Sequence, residues 1–371
     1  MKYAIELAEE FRGKTSPNPL VGAVVVKNGK IIGKGAHQFS GGHHAEVYAL
    51  DEAGKKAKGA TLYVTLEPCC HHGKTPPCTG KIIEAGISKV VIAVKDPNPQ
   101  VAGKGIQQLK AAGIIVETGI LAEEAKKQNE VFFYYIKTHK PFVIAKSAIS
   151  LDGKIATSIG NAKWISNAVS RIKTHELRNQ VDAILIGKNT LINDDPSLNV
   201  RLDSITEGPQ KIIIIPKLDI SAEQLSKMKV YNWSISKQLI VICHKYYAKN
   251  NIIKEFQKYD IQVIPVSGTP ETLIVEEILT ELGQREITSL LLEGGGGVYT
   301  SFIEANLINK FHLFQAPILI GNDGIPMLKD LSIDTIDSAY QLDNIKIVKL
   351  GDNLHIEGYL NTGKLPMSEE K

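Results

Sequence analysis

Cysteine is scarce in this chain: four residues in 371. Three of them, Cys69, Cys70 and Cys78, lie within ten residues of one another. That pattern excludes a disulfide framework and fits metal chemistry in a reducing compartment. The fourth, Cys243, sits in an apolar run over 239–243 and reads as an inert strand residue. Charge of one sign is also lacking. A net charge of +3 is too weak to argue for nucleic acid by itself. No apolar run approaches the roughly 18 residues that cross a bilayer. The first stretch is not a signal peptide, because Glu6, Glu9 and Glu10 stand where an apolar region would be. Ala4, Leu7, Ala8 and Phe11 instead mark one face of an amphipathic helix. A cytoplasmic protein is expected. Hydrophobic content of 43% and charged content of 22% are ordinary for a globular chain, and the length predicts about two domains. No internal repeat links the halves, and residues 368–371 form a polar tail.

What is present is a concentration of metal-binding residue types over 44–78. It begins His44-Ala45-Glu46 and ends Glu67-Pro68-Cys69-Cys70-His71-His72-Gly73-Lys74-Thr75-Pro76-Pro77-Cys78. One imidazole and two thiolates make three ligands, the count that leaves a catalytic zinc one open position. A glutamate two residues past the histidine matches the proton carrier of zinc deaminases, which is not itself a ligand. Zinc lowers the pKa of water from about 15.7 to about 7, and Glu46 would take the water proton and return it to the ring nitrogen and the leaving amine. One feature departs from that signature: the cysteines are spaced C-x8-C rather than C-x2-C. A closed structural zinc site is the competing reading. It needs a fourth ligand from Cys70, His71, His72 or His43.

Around this stretch the chain alternates. Ser16-Pro17-Asn18-Pro19 is a turn, and 20–26 reads as a buried strand. Asn28-Gly29 is a two-residue hairpin signal returning over 30–37. A helix follows from Ala45 to about Gly59, then a strand over 61–66. Cys69, after Pro68, is expected at a helix start, where free N–H groups and the dipole stabilise a thiolate. Helix continues over 81–85, strands fall at 90–94 and 114–117, and a helix at 107–112 joins them. The order α-β-β-α-β-α-β-α-β predicts a sheet covered on both faces, with ligands at helix starts beside strand ends. One helix is expected over 121–135, striped by Ala122, Ala125, Asn129 and Phe133, and Thr138-His139-Lys140-Pro141 marks a domain boundary.

The second half alternates again. Strands are expected at 142–149, 183–187, 211–215, 239–243, 261–266, 289–293 and 311–320, with a closing hairpin at Gly351-Asp352-Asn353. Helices are expected at 166–181, 272–282 and 298–307. Strand, four glycines and helix over 289–307 suit a pyrophosphate, which backbone N–H groups and a helix N-terminus can cradle. The run is not a GxGxxG fingerprint, so it does not argue for a Rossmann fold.

The order and motifs of the first half resemble the cytidine-deaminase-like superfamily. The longer string from Thr65 through Cys78, with Asn18-Pro-Leu-Val-Gly22-Ala and His44-Ala-Glu46, resembles the bacterial bifunctional riboflavin-biosynthesis deaminase–reductases. The insertion between the cysteines is that family's form of the signature. The resemblance implies zinc on His44, Cys69 and Cys78, proton transfer by Glu46, and substrate contacts from Asn18, His37, His71 and Lys74. In the second half, Lys146-Ser-Ala148-x-Ser150-Leu-Asp152-Gly153, Trp164-Ile-Ser166, Leu177-Arg178, Asn193-Asp194-Asp195-Pro196-Ser197-Leu198, Arg201 and Leu292-Glu293-Gly294-Gly295 resemble the family's reductase. They imply NADPH on Ala148, Trp164, Thr190, Asp194, Gly294, Gly295, Gly296 and Gly297. They place the sugar phosphate on Arg178, Ser197, Leu198, Arg201 and Glu293.

The fold implied is α/β. It comprises a cytidine-deaminase-like α/β/α sandwich over 1–140 and a dihydrofolate-reductase-like α/β domain over 141–365. The first would deaminate a phosphoribosylaminopyrimidine and the second would reduce its ribosyl group to ribityl. The expected partners are these small molecules and a second copy of the chain, with no nucleic acid and no membrane. The alternative is a nucleic-acid base deaminase with an appended nucleotide-binding domain. Two positions depart from the family pattern: Ala162, where a serine is usual, and Pro216-Lys217, where Asp-Ser or Asp-Thr is usual.

Overall fold

A computed structural model describes residues 1–70, 76–98, 102–202, 208–232 and 238–361. They fall into two compact units, Met1–His139 and Lys140–Lys371. No helix among the described residues is long and apolar enough to cross a membrane.

The first unit runs α1 (Lys2–Glu9), β1 (Gly22–Lys27), β2 (Lys30–Ala36), α2 (Ala45–Ala53), β3 (Thr61–Leu66), α3 (Cys78–Glu84), β4 (Lys89–Val94), α4 (Lys104–Ala111), β5 (Ile115–Thr118), α5 (Ala122–Gln128) and α6 (Glu130–Thr138). The strands form one sheet in the order β2-β1-β3-β4-β5. Asn28 and Gly29 both take positive φ, 51° and 74°, as the tight turn between β1 and β2 requires. One face of the sheet is covered by α2, α3 and α4 through Ala49, Leu50, Ile82, Ile106 and Leu109. The other is covered by α1, α5 and α6 through Ala4, Leu7, Ala125 and Phe133.

The approach of α2 is unusually close. A Cβ on Gly33 would lie 2.1 Å from the Ala49 carbonyl oxygen, and one on Gly35 would lie 2.6 Å from that of Ala45. Glycine at these two positions lets α2 lie directly on β2, which sets the position of its first turn. The expected single helix over 121–135 is two helices. Asn129 interrupts it because its side chain accepts from the Leu20 N–H at 2.8 Å and donates to the Leu20 carbonyl at 2.9 Å. The amide thereby pairs with Leu20 as a strand neighbour would.

The second unit runs β6 (Phe142–Ile149), β7 (Lys154–Ala156), α7 (Ala168–Asn179), β8 (Ala183–Gly187), α8 (Lys188–Asp194), β9 (Gln210–Ile214), α9 (Ala222–Ser226), α10 (Lys229–Asn232), β10 (Leu239–His244), α11 (Asn250–Gln257), β11 (Ile261–Val266), α12 (Val275–Gly283), β12 (Ser289–Leu292), α13 (Gly296–Glu304), β13 (Lys310–Gln315), β14 (Ile325–Pro326), β15 (Leu342–Leu350) and β16 (Asn353–Leu360). Its main sheet has nine strands in the order β11-β10-β9-β8-β12-β6-β13-β16-β15. The seven strands from β11 to β13 are parallel, and β16 and β15 are antiparallel additions. Parallel strands covered on both faces read as continuous apolar runs, which is why they stand out in the sequence. Several bounds differ from expectation by two or more residues, and two of them bear on the cleft and its sheet. The strand expected over 311–320 stops at Gln315, and α13 begins inside the glycine run rather than after it.

Candidate active site

In the first unit, His44 is the N-cap of α2, and Glu46 lies in that helix's first turn. Cys78 opens α3. Cys69 was expected at a helix start and is not there: it lies in the irregular segment after β3, and the helix starts nine residues later. The helix N-terminus still serves Cys69. The backbone N–H of Cys78 donates to the Cys69 Sγ at 3.3 Å, the type of interaction that favours a thiolate. The Cys69 thiol is pulled well below the ordinary range, first by the hydrogen bond from the Cys78 side chain, with His44 and the Cys78 N–H adding to it.

His44 Nδ1 lies 3.2 Å from Cys78 Sγ and 3.5 Å from Cys69 Sγ. With bonds of about 2.0 Å to nitrogen and about 2.3 Å to sulfur, the N···S edge of a tetrahedral zinc site is roughly 3.5 Å. The three donors therefore fit zinc, and all lie within 4.8 Å of one another. Among the described residues neither Cys70 nor His43 joins them as a fourth ligand. His43 instead packs against Tyr48 with ring centroids 5.7 Å apart. His71 and Lys74, and the alternative ligand His72, lie outside the described residues.

Glu46 is 3% exposed. Burial raises its carboxyl pKa, against the pull of His44. His37 is equally buried, and that burial lowers its imidazole pKa. Its Nδ1 lies 3.0 Å from the His43 carbonyl, which can only accept, so Nδ1 carries the proton. Its Nε2 then accepts from the Asn18 amide at 3.0 Å. Asn18 is thereby held with its carbonyl oxygen left for another partner. The motif residue Glu67 has a structural role. Its carboxylate accepts from the backbone N–H groups of Gly103 at 2.9 Å and Ile106 at 3.1 Å, closing the start of α4.

In the second unit, a cleft of about 1000 Å³ opens at the C-terminal ends of the parallel strands. Thr190 and Asp194 from α8 and Gly295, Gly296 and Gly297 from the start of α13 line it. A Cβ on Gly295 would meet Thr190 Oγ1 at 3.5 Å, so the two stand face to face. Burial raises the Asp194 carboxyl pKa. The departing residues Ala162, Pro216 and Lys217 also line the cleft. Gly294 faces Val298 instead, with a Cβ there only 2.8 Å from the valine side chain. Ala148 lies on β6 in register with Phe314. Trp164 is 69% exposed, with the Arg171 guanidinium 4.7 Å over its ring. Neither residue is part of the cleft wall.

Glu293, one residue past β12, gathers the remaining polar residues. Arg178 Nε and Nη2 donate to its two carboxylate oxygens at 2.6 and 2.9 Å. Lys146 Nζ lies 3.5 Å away. All three side chains are at most 15% exposed. Against the effect of burial, Arg178 and then Lys146 hold the Glu293 carboxyl down to about 2. Arg178 Nη1 donates to the Asn199 carbonyl at 3.0 Å. Arg201 donates to Asn199 Oδ1 at 3.2 Å and to Ser197 Oγ at 3.3 Å. Leu198, between them, takes a positive φ of 50°. Arg178, Ser197, Leu198, Arg201 and Glu293 thus meet around one loop. Sequence reasoning gave Lys146 no role; its signal was a lysine in a strand whose only other polar residue is Ser147.

Residues 1–94 match the cytidine and deoxycytidylate deaminase zinc-binding region, and residues 141–356 match the RibD C-terminal domain. The chain is 44% identical over 356 residues to the riboflavin biosynthesis protein RibD of Aquifex aeolicus, covering 96% of each. It is 34% identical to RibD of Escherichia coli, covering 96% of this chain and 98% of that one. Among solved structures it resembles a diaminohydroxyphosphoribosylaminopyrimidine deaminase/5-amino-6-(5-phosphoribosylamino)uracil reductase from Thermotoga maritima. The TM-score is 0.83, with 37% identity and 97% of each chain covered. Acinetobacter baumannii RibD matches with a TM-score of 0.87, 33% identity and the same coverage.

Proposed function

The chain belongs to the RibD family of bifunctional riboflavin-biosynthesis enzymes, a zinc-dependent deaminase joined to an NADPH-dependent reductase, and we propose how its residues divide the two reactions. Residues 1–140 form the deaminase and 141–365 the reductase. The substrate class is the phosphoribosylaminopyrimidine named for the Thermotoga relative.

In the deaminase, His44, Cys69 and Cys78 hold zinc. Bound there, zinc supplies Lewis acidity that makes water a nucleophile at neutral pH. Glu46 takes the proton of the attacking water and delivers it to the pyrimidine ring nitrogen and then to the departing amine. Its burial excludes competing solvent. Neutral His37, fixed on the His43 carbonyl, orients Asn18, whose carbonyl oxygen pairs with the pyrimidine edge. The ribose phosphate falls to His71 and Lys74 by family resemblance alone.

In the reductase, NADPH supplies the hydride that opens the ribosyl ring to a ribityl chain. Thr190, Asp194, Gly295, Gly296 and Gly297 hold it. Ala148, Trp164 and Gly294 are family-implied contacts without support from the cleft geometry. Ser197, Leu198 and Arg201 hold the sugar phosphate, Arg201 through its planar fork. Arg178 and Lys146 keep Glu293 ionised, so its remaining lone pairs accept from sugar hydroxyls.

The observation that carries this reading is the three-donor cluster, joined by no fourth ligand among the described residues, with the buried Glu46 in the first turn of α2 two residues past His44. Similarity to RibD across both units sets aside the nucleic-acid deaminase. Incubation with the phosphoribosylaminopyrimidine should release ammonia and then consume NADPH; absence of either would overturn the reading. Self-association is expected as well. The outermost strand β15 supports it, because among the described residues no strand pairs with its outer edge, and Ile345 and Ile347 on it are 55% and 60% exposed. A sedimentation mass of one chain would contradict it.

A further inference from the structure

Three lysines line the reductase cleft: Lys188, Lys217 and Lys329. Two are already neutralised, Lys188 by Asp219 and Lys217 by Glu271 at 3.1 Å. Among the described residues, no carboxylate forms an ion pair with Lys329. Its neighbour Asp330 turns its carboxylate to the Ser332 N–H at 2.8 Å.

Lys329 is held against the glycine run. Its backbone N–H donates to Thr300 Oγ1 on α13 at 2.9 Å. The preceding segment presses on the same turn: a Cβ on Gly296 would lie 3.2 Å from the Met327 carbonyl oxygen and 3.3 Å from that of Pro326. A Cβ on Gly297 would lie 3.4 Å from both Cε and Nζ of Lys329. The lysine therefore crosses the first turn of a nine-residue helix whose N-cap is Gly295. In that turn the Val298 N–H is taken by the Gly295 carbonyl at 3.0 Å, so the N–H groups that no helical carbonyl can reach are those of Gly296 and Gly297, which line the cleft at the positive end of the helix dipole. Backbone N–H groups and the dipole offset only part of the two negative charges of a pyrophosphate. A mobile ammonium beside them completes the site, as a lysine does in other phosphate cradles.

We propose that Lys329 is the cation that binds the pyrophosphate of the dinucleotide over the first turn of α13. The proposal rests on NADPH being the cofactor of this cleft.

The test is calorimetric titration of the full chain with NADPH and with NADH. Both carry the pyrophosphate; only NADPH carries a 2′-phosphate. Lys329→Met should weaken both to the same extent, about 10–100-fold, the effect of removing a hydrogen bond to a charged group. Lys329→Arg should stay within a few-fold of the wild type. If Lys329→Met does not fold, Lys329→Gln takes its place. Unchanged NADPH affinity would overturn the proposal. So would a loss confined to NADPH, which would put Lys329 on the 2′-phosphate. Failure of the wild type to bind NADPH would instead count against the assignment of the cleft.

Discussion

At the scale of single residues, the molecule depends on charges buried in company. Glu293 shows the consequence. Its carboxyl sits at about 2 in the folded protein against an ordinary value of 4.5. A depressed folded value means the ionised form stabilises the fold. That stability is complete above about pH 4.5 and is lost as pH falls toward 2, a contribution of about 3 kcal/mol. Glu293→Gln leaves Arg178 and Lys146 buried beside a neutral amide, which costs about 3–5 kcal/mol at pH 7. The difference from the wild type should shrink between pH 4.5 and 2. Tryptophan fluorescence reports on this unit, because both tryptophans follow residue 140. Denaturant midpoints at pH 7 that coincide for the two proteins would contradict the account. The sequence made His44, Glu46, Cys69 and Cys78 legible as a set, because short spacings on a strand–helix framework carry the signature. The Arg178–Glu293 pair was not legible as a pair, because 115 residues separate its members. Lys329 had no local signal at all.

At the scale of elements, the alternation of apolar runs and helical stripes was readable through both units. What escaped was decided by tertiary contact. Asn129 splits a helix because Leu20 needs a partner, and α8, the helix carrying Thr190 and Asp194, is too short for its period to stand out. In sequence the glycine run reads as a loop before a helix, yet its last two glycines are helical. That placement makes a sharp prediction. Gly295 has φ −79° and ψ 177°, an extended conformation open to a β-branched residue. A Cβ there makes only an ordinary contact with Thr190. Gly295→Val should therefore fold, while its methyl groups intrude on the cleft. NADPH affinity should fall about 10–100-fold, the cost of an overpacked contact, with ammonia release unchanged. If NADPH titrates with wild-type affinity, the glycine run is only a turn.

At the scale of the whole molecule, two reactions are carried by two units, each with its own sheet and its own set of charged groups. Chain length gave the count of units, and the break at residues 138–141 was visible as a helix breaker followed by an apolar strand. The central claim is that Glu46 serves deamination alone, as a proton carrier and not as a ligand. Glu46→Gln keeps the size of the side chain and removes its proton affinity. On one preparation, zinc content, ammonia release and NADPH-dependent reduction of already deaminated substrate should be measured together. Zinc should remain bound, and reduction should be nearly unchanged. Ammonia release should fall by at least about 10²–10⁴-fold, the range for general acid–base catalysis. Near-normal ammonia release would remove Glu46 from the mechanism, and loss of zinc would make it a ligand of a closed, structural site.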